Sequence, residues 1–363
     1  MAGKDNRKEV IRKLKGLGED IALSIESDKV PKMKVPLRSF SNIQFDKQSN
    51  LLRMGDKTSL RNFMNVAHTK KFMQTMLIAS KCEELVDRDK TASIRELYYQ
   101  LKHTVAGTKE NTFEGQDESD PLIVDLETML SVLREELHLK ADDKGTIIGN
   151  IVIEDSGDFI DCSKLGRSGL AVPSIVEQYK FHEVKADYCL VIETGAMFDR
   201  LVEEKYPQKN NCIMVSTKGQ AARGCRRLLN RINKELKMPV IMFTDGDPWG
   251  YYIYSVVKAG SMALAHESER LGTPKSRFVG MTVTDVEEFG LEKVTEELKD
   301  VDKKRISELL QYPWFQTKEW RHELKLMEEK GVRIEQQALA SKSLEFVAEE
   351  YLPEKIEKGE LLP

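Results

Sequence analysis

From Asp187 onward the chain alternates short apolar runs with amphipathic segments, and that alternation restricts the fold more than any other feature. The runs at 187–193, 211–216, 239–245 and 277–283 read as strands, and 196–205, 219–236 and 250–265 between them read as helices. A helix between consecutive strands carries the chain back to its starting edge. The expected result is a mostly parallel, doubly wound sheet. In such sheets ligands collect beyond the carboxyl ends of the strands.

Two of these strands end there in acids. Asp187-Tyr-Cys-Leu-Val-Ile-Glu193 finishes in Glu193, and Pro239-Val-Ile-Met-Phe-Thr-Asp245-Gly-Asp247 finishes in an Asp-x-Asp pair 52 residues further on. Asp245 and Asp247 point to the same side if the backbone stays extended. Three carboxylates at one sheet edge suit a hard divalent cation such as Mg²⁺, which takes oxygen ligands and is often held by few carboxylates plus phosphates. The competing reading is turn chemistry, since Asp, Gly and Pro dominate turns.

Between the acids lies Ser216-Thr-Lys-Gly-Gln-Ala-Ala-Arg-Gly-Cys-Arg-Arg. Gly219 and Gly224 match part of a phosphate-binding loop, but Cys225 stands where that loop needs lysine, so this is not an NTP site. Residues 218–237 nevertheless carry seven basic side chains against one acid. Lys218 with Arg223, Arg227 and Arg231, the arginines spaced along one helix face, form a candidate phosphate-tracking surface. A plain solvated face explains them equally well.

The upstream half has a different period. Helices are expected at 69–86, at 93–104 behind a Ser93/Glu96 capping box, and at 120–138. Residues 145–161 read as a β-hairpin. Three helices closed by a hairpin resemble a winged helix-turn-helix, whose usual work is docking on duplex DNA. The second of these helices carries Arg95-Glu-Leu-Tyr-Tyr99. Ile94, Leu97, Tyr98 and Leu101 form its core-facing stripe, whereas Arg95, Tyr99 and His103 fall on another face at intervals of four. A phenol with a pKa near ~10 is a poor nucleophile at neutral pH. A guanidinium beside it favours phenolate and can clamp a phosphate, and a histidine could take the proton. Taken alone, the same spacing also describes a solvated amphipathic face.

The remaining stretches organise around these two. Residues 1–68 read as a charged helix over 1–25 and an extended arm that straps onto a partner. Residues 69–161 make the winged-helix domain, 162–185 a linker, and 186–363 the sheet domain with a charged, helical extension. The net charge of −4 argues against a general nucleic-acid coat, so a DNA site must be locally basic. Five cysteines show no C-x-x-C and no zinc spacing. No apolar stretch approaches the ~20 residues a membrane span requires, and the basic amino terminus lacks the apolar run of a signal peptide. A nucleoid-associated place in the cytoplasm is the expectation.

These motifs together resemble the A-subunit family of archaeal DNA topoisomerase VI, a type IIB enzyme, and more distantly the transesterases that begin meiotic recombination. The resemblance covers nearly the whole chain. It implies a winged-helix domain similar to that of the catabolite activator protein, followed by a Toprim domain. Arg95 and Tyr99 match the family's Arg-x-x-Tyr-Tyr motif, whose second tyrosine attacks DNA. Glu193, Asp245 and Asp247 match its Mg²⁺-binding acids. The resemblance further implies a homodimer acting on double-stranded DNA, joined to two B subunits in a heterotetramer, with ATP bound by the B subunit rather than by this chain. A Toprim-type nuclease, which needs the acids but not Tyr99, and a non-catalytic winged-helix scaffold are the rival readings.

Overall fold

The computed structural model describes residues 2–363, with side chains from residue 6 onward, so Met1 and the side chain of Lys4 lie outside it. The chain divides into two compact units, one of residues 1–43 and 54–142, the other of residues 44–53 and 143–363.

The first unit is mainly helical. The expected amino-terminal helix is α1 (Ala2–Glu26), and its Val10 and Leu14 are buried with Ile78, Cys82, Leu97 and Leu126. The segment expected to be an extended arm pairs within itself and packs on its own unit. Strand β1 (Lys32–Pro36) pairs antiparallel with β4 (Thr58–Asn62), and alternation along β1 sends Met33 and Val35 inward against Phe72. Between them in sequence, β2 (Ile43–Asp46) and β3 (Leu51–Met54) form a two-stranded sheet that belongs, through residues 44–53, to the second unit. Then come α2 (Val66–Asp87), α3 (Ile94–Leu101) and α4 (Gln116–Leu130). A short parallel pairing of β5 (Ala92–Ser93) with β6 (Leu139–Lys140) ties the start of α3 to the end of the unit. Asp125 on α4 holds Arg38 and Arg61 together.

The hairpin expected to complete this domain belongs to the other unit. Strand β7 (Thr146–Gly149) pairs antiparallel with β13 (Cys212–Ser216) of the main sheet. Its Ile147 and Ile148 are buried in cores on opposite faces. A wing would leave one of its faces in water. The hairpin proper is the next pair, β8 (Ile151–Asp155) with β9 (Asp158–Asp161). Strand β11 (Lys180–Val184) adds to β8 on its other side. Residues 162–185 are therefore not a linker: β10 (Leu170–Ala171) pairs with β7, and Val172, Val176 and Tyr179 are buried.

The main sheet has six strands in the order β10-β7-β13-β12-β14-β15, where β12 is Tyr188–Ile192, β14 Val240–Phe243 and β15 Arg277–Gly280. β13, β12, β14 and β15 pair in parallel. Their side chains alternate strictly. Cys189, Val191, Ile213, Val215 and Met242 enter one core; Leu190, Ile192, Met214, Ile241 and Phe243 enter the other. Helices α5 (Gly195–Glu203), the short α6 (Tyr206–Lys209), α7 (Arg223–Glu235) and α8 (Pro248–Ala259) make the crossovers. A sheet buried on both faces explains why the strands read as unbroken apolar runs.

The last quarter folds back on this sheet. The Tyr312-Pro-Trp-Phe315 anchor buries Phe315 against Trp320. Near the carboxyl end, the buried carboxylate of Asp285 accepts hydrogen bonds from the Tyr351 hydroxyl and the Lys355 ammonium. Among the described residues no helix is long and apolar enough to cross a membrane.

Candidate metal centre and tyrosine helix

Strands β12 and β14 are parallel neighbours with Ile192 opposite Phe243, so the residues after them leave the sheet at one edge. Glu193 follows β12 directly, and its N–H donates to the Phe243 carbonyl at 3.1 Å. Its carboxylate in turn accepts the Asp245 N–H at 3.1 Å. Asp247 caps α8, accepting the Gly250 N–H at 2.6 Å. Gly250 is required there, because a Cβ would lie 2.2 Å from the Asp245 carbonyl oxygen. The three acids expected from sequence thus converge: a main-chain hydrogen bond joins Glu193 and Asp245, and the Asp247 charge acts on both.

A segment without any sequence motif completes the edge. Gly246 and Ile334 exchange backbone hydrogen bonds of 2.8 and 3.1 Å, which draws residues 333–337 over the acids. The Gln336 N–H then donates to Asp245 Oδ1 at 2.8 Å. Arg333 Nη1 lies 3.8 Å from Asp247 Oδ2 while its other nitrogen pairs with Glu296 at 2.5 Å. Neither Arg333 nor Gln336 could be singled out from spacing, since their contacts arise from a bridge between positions 88 residues apart.

The electrostatics are those of an edge short of positive charge. Burial, reinforced by the Asp245 charge, pushes the Glu193 carboxyl up to about 8. Burial raises Asp245 to about 6, against the opposing Gln336 N–H. Asp247 is also raised by burial, with the Gly250 N–H and Arg333 working against the shift. Like charges gathered in a half-buried site favour protons or a cation. Oxygen donors alone, without sulfur or imidazole, suit a hard ion such as Mg²⁺. The residues present fit that group.

The tyrosine helix lies in the first unit, the acids in the second. Ser93 caps α3 as its sequence requires: its hydroxyl accepts the Glu96 N–H at 3.1 Å, and the Glu96 carboxylate accepts the Ser93 N–H at 2.6 Å. Tyr98 is only 7% exposed. Its hydroxyl donates to the Glu114 carbonyl at 3.0 Å and accepts from Lys102 at 3.0 Å. Tyr99 is 61% exposed, with the Arg95 guanidinium 6.0 Å from its ring centroid. His103 leaves the expected stripe. The helix ends at Leu101 with Lys102 already extended, so the four-residue spacing no longer places His103 beside Tyr99.

The expected basic face on α7 is also revised. Arg223 pairs with Glu267 at 2.9 Å, Arg227 with Glu177 at 2.9 Å, and Arg231 with Glu235 at 2.6 Å. Arg231 also donates to the Val176 and Tyr179 carbonyls. These arginines fasten α7 to its surroundings, and of the four residues only Lys218 is exposed. Glu235 lies one helical turn from Arg231 on α7 itself, but Glu267 and Glu177 come from remote segments that a count of charges along the sequence does not see.

Comparison with known proteins follows the same division. Residues 188–356 match the model of the Toprim domain shared by Spo11 and the A subunit of topoisomerase 6. Residues 70–139 match Type IIB DNA topoisomerase, and residues 142–185 match the all-beta domain in DNA topoisomerase VI alpha subunit. The chain is 55% identical to the A subunit of type 2 DNA topoisomerase 6 from Pyrococcus horikoshii, over 98% of this chain and 95% of the relative. It is 39% identical to that of Methanothermobacter thermautotrophicus, over 98% and 99%, and 36% identical to that of Natronomonas pharaonis, over 97% and 96%. With relatives this similar along its whole length, the chain belongs to the A-subunit family of type 2 DNA topoisomerase 6, the catalytic chains of a type IIB DNA topoisomerase.

Proposed function

We propose that this chain cuts DNA through Tyr99. The observation that carries the reading is the split within the tyrosine pair, where Tyr98 is committed to the core while Tyr99 stands exposed near Arg95. In the proposed step the Tyr99 oxygen attacks a backbone phosphorus and the bond to the 3′ oxygen breaks. The phenolic proton is lost, the 3′ oxygen leaves as a hydroxyl, and a 5′-phosphotyrosyl ester remains. One ester replaces another, so the reverse attack reseals the strand without an external energy source. Arg95 is placed to steady the phosphate and favour the phenolate.

Glu193, Asp245 and Asp247 are the residues that would hold Mg²⁺, whose positive charge offsets the phosphate's negative charge when bound. The first unit then serves as the DNA-docking domain, its helices similar to those of the winged-helix domain of the catabolite activator protein but without the 145–161 hairpin as a wing, and the parallel sheet as the Toprim core. Double-stranded DNA is the substrate, and two protomers make paired nicks and hence a double-strand break. A partner B subunit binds ATP and couples its hydrolysis to strand passage. The names of the relatives, which designate one subunit of a topoisomerase, support this assembly.

The test is to trap a covalent protein–DNA adduct by denaturation in the presence of Mg²⁺ and the B subunit. An adduct lost in Tyr99→Phe supports the reading. Divalent-dependent cutting without an adduct would select a nuclease, and binding without cutting a scaffold.

A further inference from the structure

Helix α7 contains one arginine that none of the ion pairs above accounts for. Arg226 is 2% exposed, yet its Nε and Nη2 atoms are buried without any hydrogen-bond partner. The opposing charge that acts on it most strongly is Glu267, through space. Both Glu267 oxygens are already engaged, one by Arg223 at 2.9 Å and the other by Arg270 at 2.7 Å. A buried guanidinium left with empty donors is costly, and such orphaned groups in native proteins usually mark a missing ion or water.

The surroundings say which sign of ligand fits. Arg226 lines a cavity of about 350 Å³ together with Lys144, Gln220, Arg223, Tyr252 and Ser261. Three of these six side chains are cationic and none is acidic. The cavity opens at the amino end of α7, a helix of 13 residues whose N-cap, Ala222, has no side chain able to cap it. The dipole of such a terminus favours an anion. Lys144 reaches over this turn and donates to the Gln220 carbonyl at 3.0 Å. The loop itself departs from the carboxyl end of β13, and its Gly219 N–H donates to the Glu193 carbonyl at 2.8 Å. The cavity and the acids therefore share one edge of the sheet.

We propose that this cavity, at the amino end of α7, is a phosphate-binding site with the Arg226 guanidinium as its principal donor. The fork of a guanidinium matches phosphate oxygens two at a time. Its place beside the acid edge points to a backbone phosphate of the bound DNA, away from the scissile bond, as the source. That last assignment rests on the proposed function, whereas the phosphate site itself does not.

Inorganic phosphate, titrated into the wild-type chain at constant ionic strength, should raise the melting temperature saturably. Chloride at equal ionic strength should not. Arg226→Gln should abolish the phosphate-dependent shift, while Arg226→Lys should retain part of it. In parallel, fluorescence anisotropy with duplex DNA should show a shallower dependence on salt in Arg226→Gln, by about 0.9 in the log–log slope for one lost phosphate contact. A lost phosphate shift with an unchanged DNA slope would assign the site to free phosphate. Absence of saturable phosphate binding to the wild-type chain, together with an unchanged slope in a folded variant, overturns the proposal. Should Arg226→Gln fail to fold, the wild-type titration, followed also by ³¹P NMR, decides alone. Adduct trapping reads Tyr99 chemistry independently, so a failure of either idea is told from a failure of the other.

Discussion

Neighbouring residues of one type can have opposite fates when helical phase separates them. Tyr98 and Tyr99 have ring centroids 5.1 Å apart, yet one is a buried hydrogen-bonding residue and the other an exposed phenol. Tyr99→Phe should abolish covalent adduct formation while leaving melting temperature and DNA affinity unchanged. Tyr98→Phe should keep cleavage and lose about 1 kcal/mol of stability with the bond to the Glu114 carbonyl. Both are read by adduct gels and thermal melts, and an adduct in Tyr99→Phe would refute the assignment. The acids invite a pH experiment. Glu193 titrates at about 8 when folded, against an ordinary value of 4.5. The folded state therefore binds the extra proton between those values, and metal-free stability should fall as pH rises through that window. Mg²⁺ binds the deprotonated carboxyls, so its stabilising effect should be larger at pH 8 than at pH 5. Glu193→Gln should flatten the metal-free decline. A Mg²⁺ effect equal at both pH values would argue against these ligands.

At the scale of elements, α3 and α7 differ in how their polar residues are used. The cap of α3 is local, and Ser93→Ala should cost about 1 kcal/mol, measurable by denaturant titration without loss of the fold. The arginines of α7 are tertiary. Arg223 and Arg227 reach Glu267 and Glu177, carboxylates that their removal would leave with one cation fewer each, Arg270 being shared between the two. Replacing both with Ala should therefore destabilise the second unit by several degrees in a thermal melt, whatever its effect on DNA. A variant as stable as wild type, with a flattened salt dependence of DNA binding, would return these side chains to a phosphate-tracking role. The same principle separates β7 from a wing: burial of Ile147 and Ile148 on opposite faces marks an interior strand.

For the whole molecule, the candidate nucleophile and the candidate metal ligands fall in different compact units. We propose that in the dimer each tyrosine meets the partner's metal site, which a complementation experiment tests. Mixing a Tyr99→Phe chain with an Asp245→Ala chain gives heterodimers with one intact combination of tyrosine and acids. They should nick a single strand under conditions where wild type makes a double-strand break. No nicking in verified heterodimers would mean that each site is built within one chain. ATP should be needed for strand passage with the B subunit, not for the cleavage chemistry, because transesterification preserves the phosphoester.

The parallel strands, the capping box, the exposure of Tyr99 and the positions of Glu193, Asp245 and Asp247 were all determined by local pattern. Helical and extended backbones impose fixed side-chain periods, and strand ends in an alternating chain share an edge, so order along the sequence maps onto place. What tertiary structure alone decided was where long-range partners come from. The Arg333–Gln336 segment reaches the acids through a two-way bridge between Gly246 and Ile334. Strands β7 and β10 extend the sheet from a region that reads as a hairpin and a linker. The arginines of α7 meet carboxylates from Glu177 to Glu267, and Arg226 meets none. Pairing between distant segments leaves no periodic trace, because it depends on which surfaces remain to be buried or neutralised once the local elements have formed.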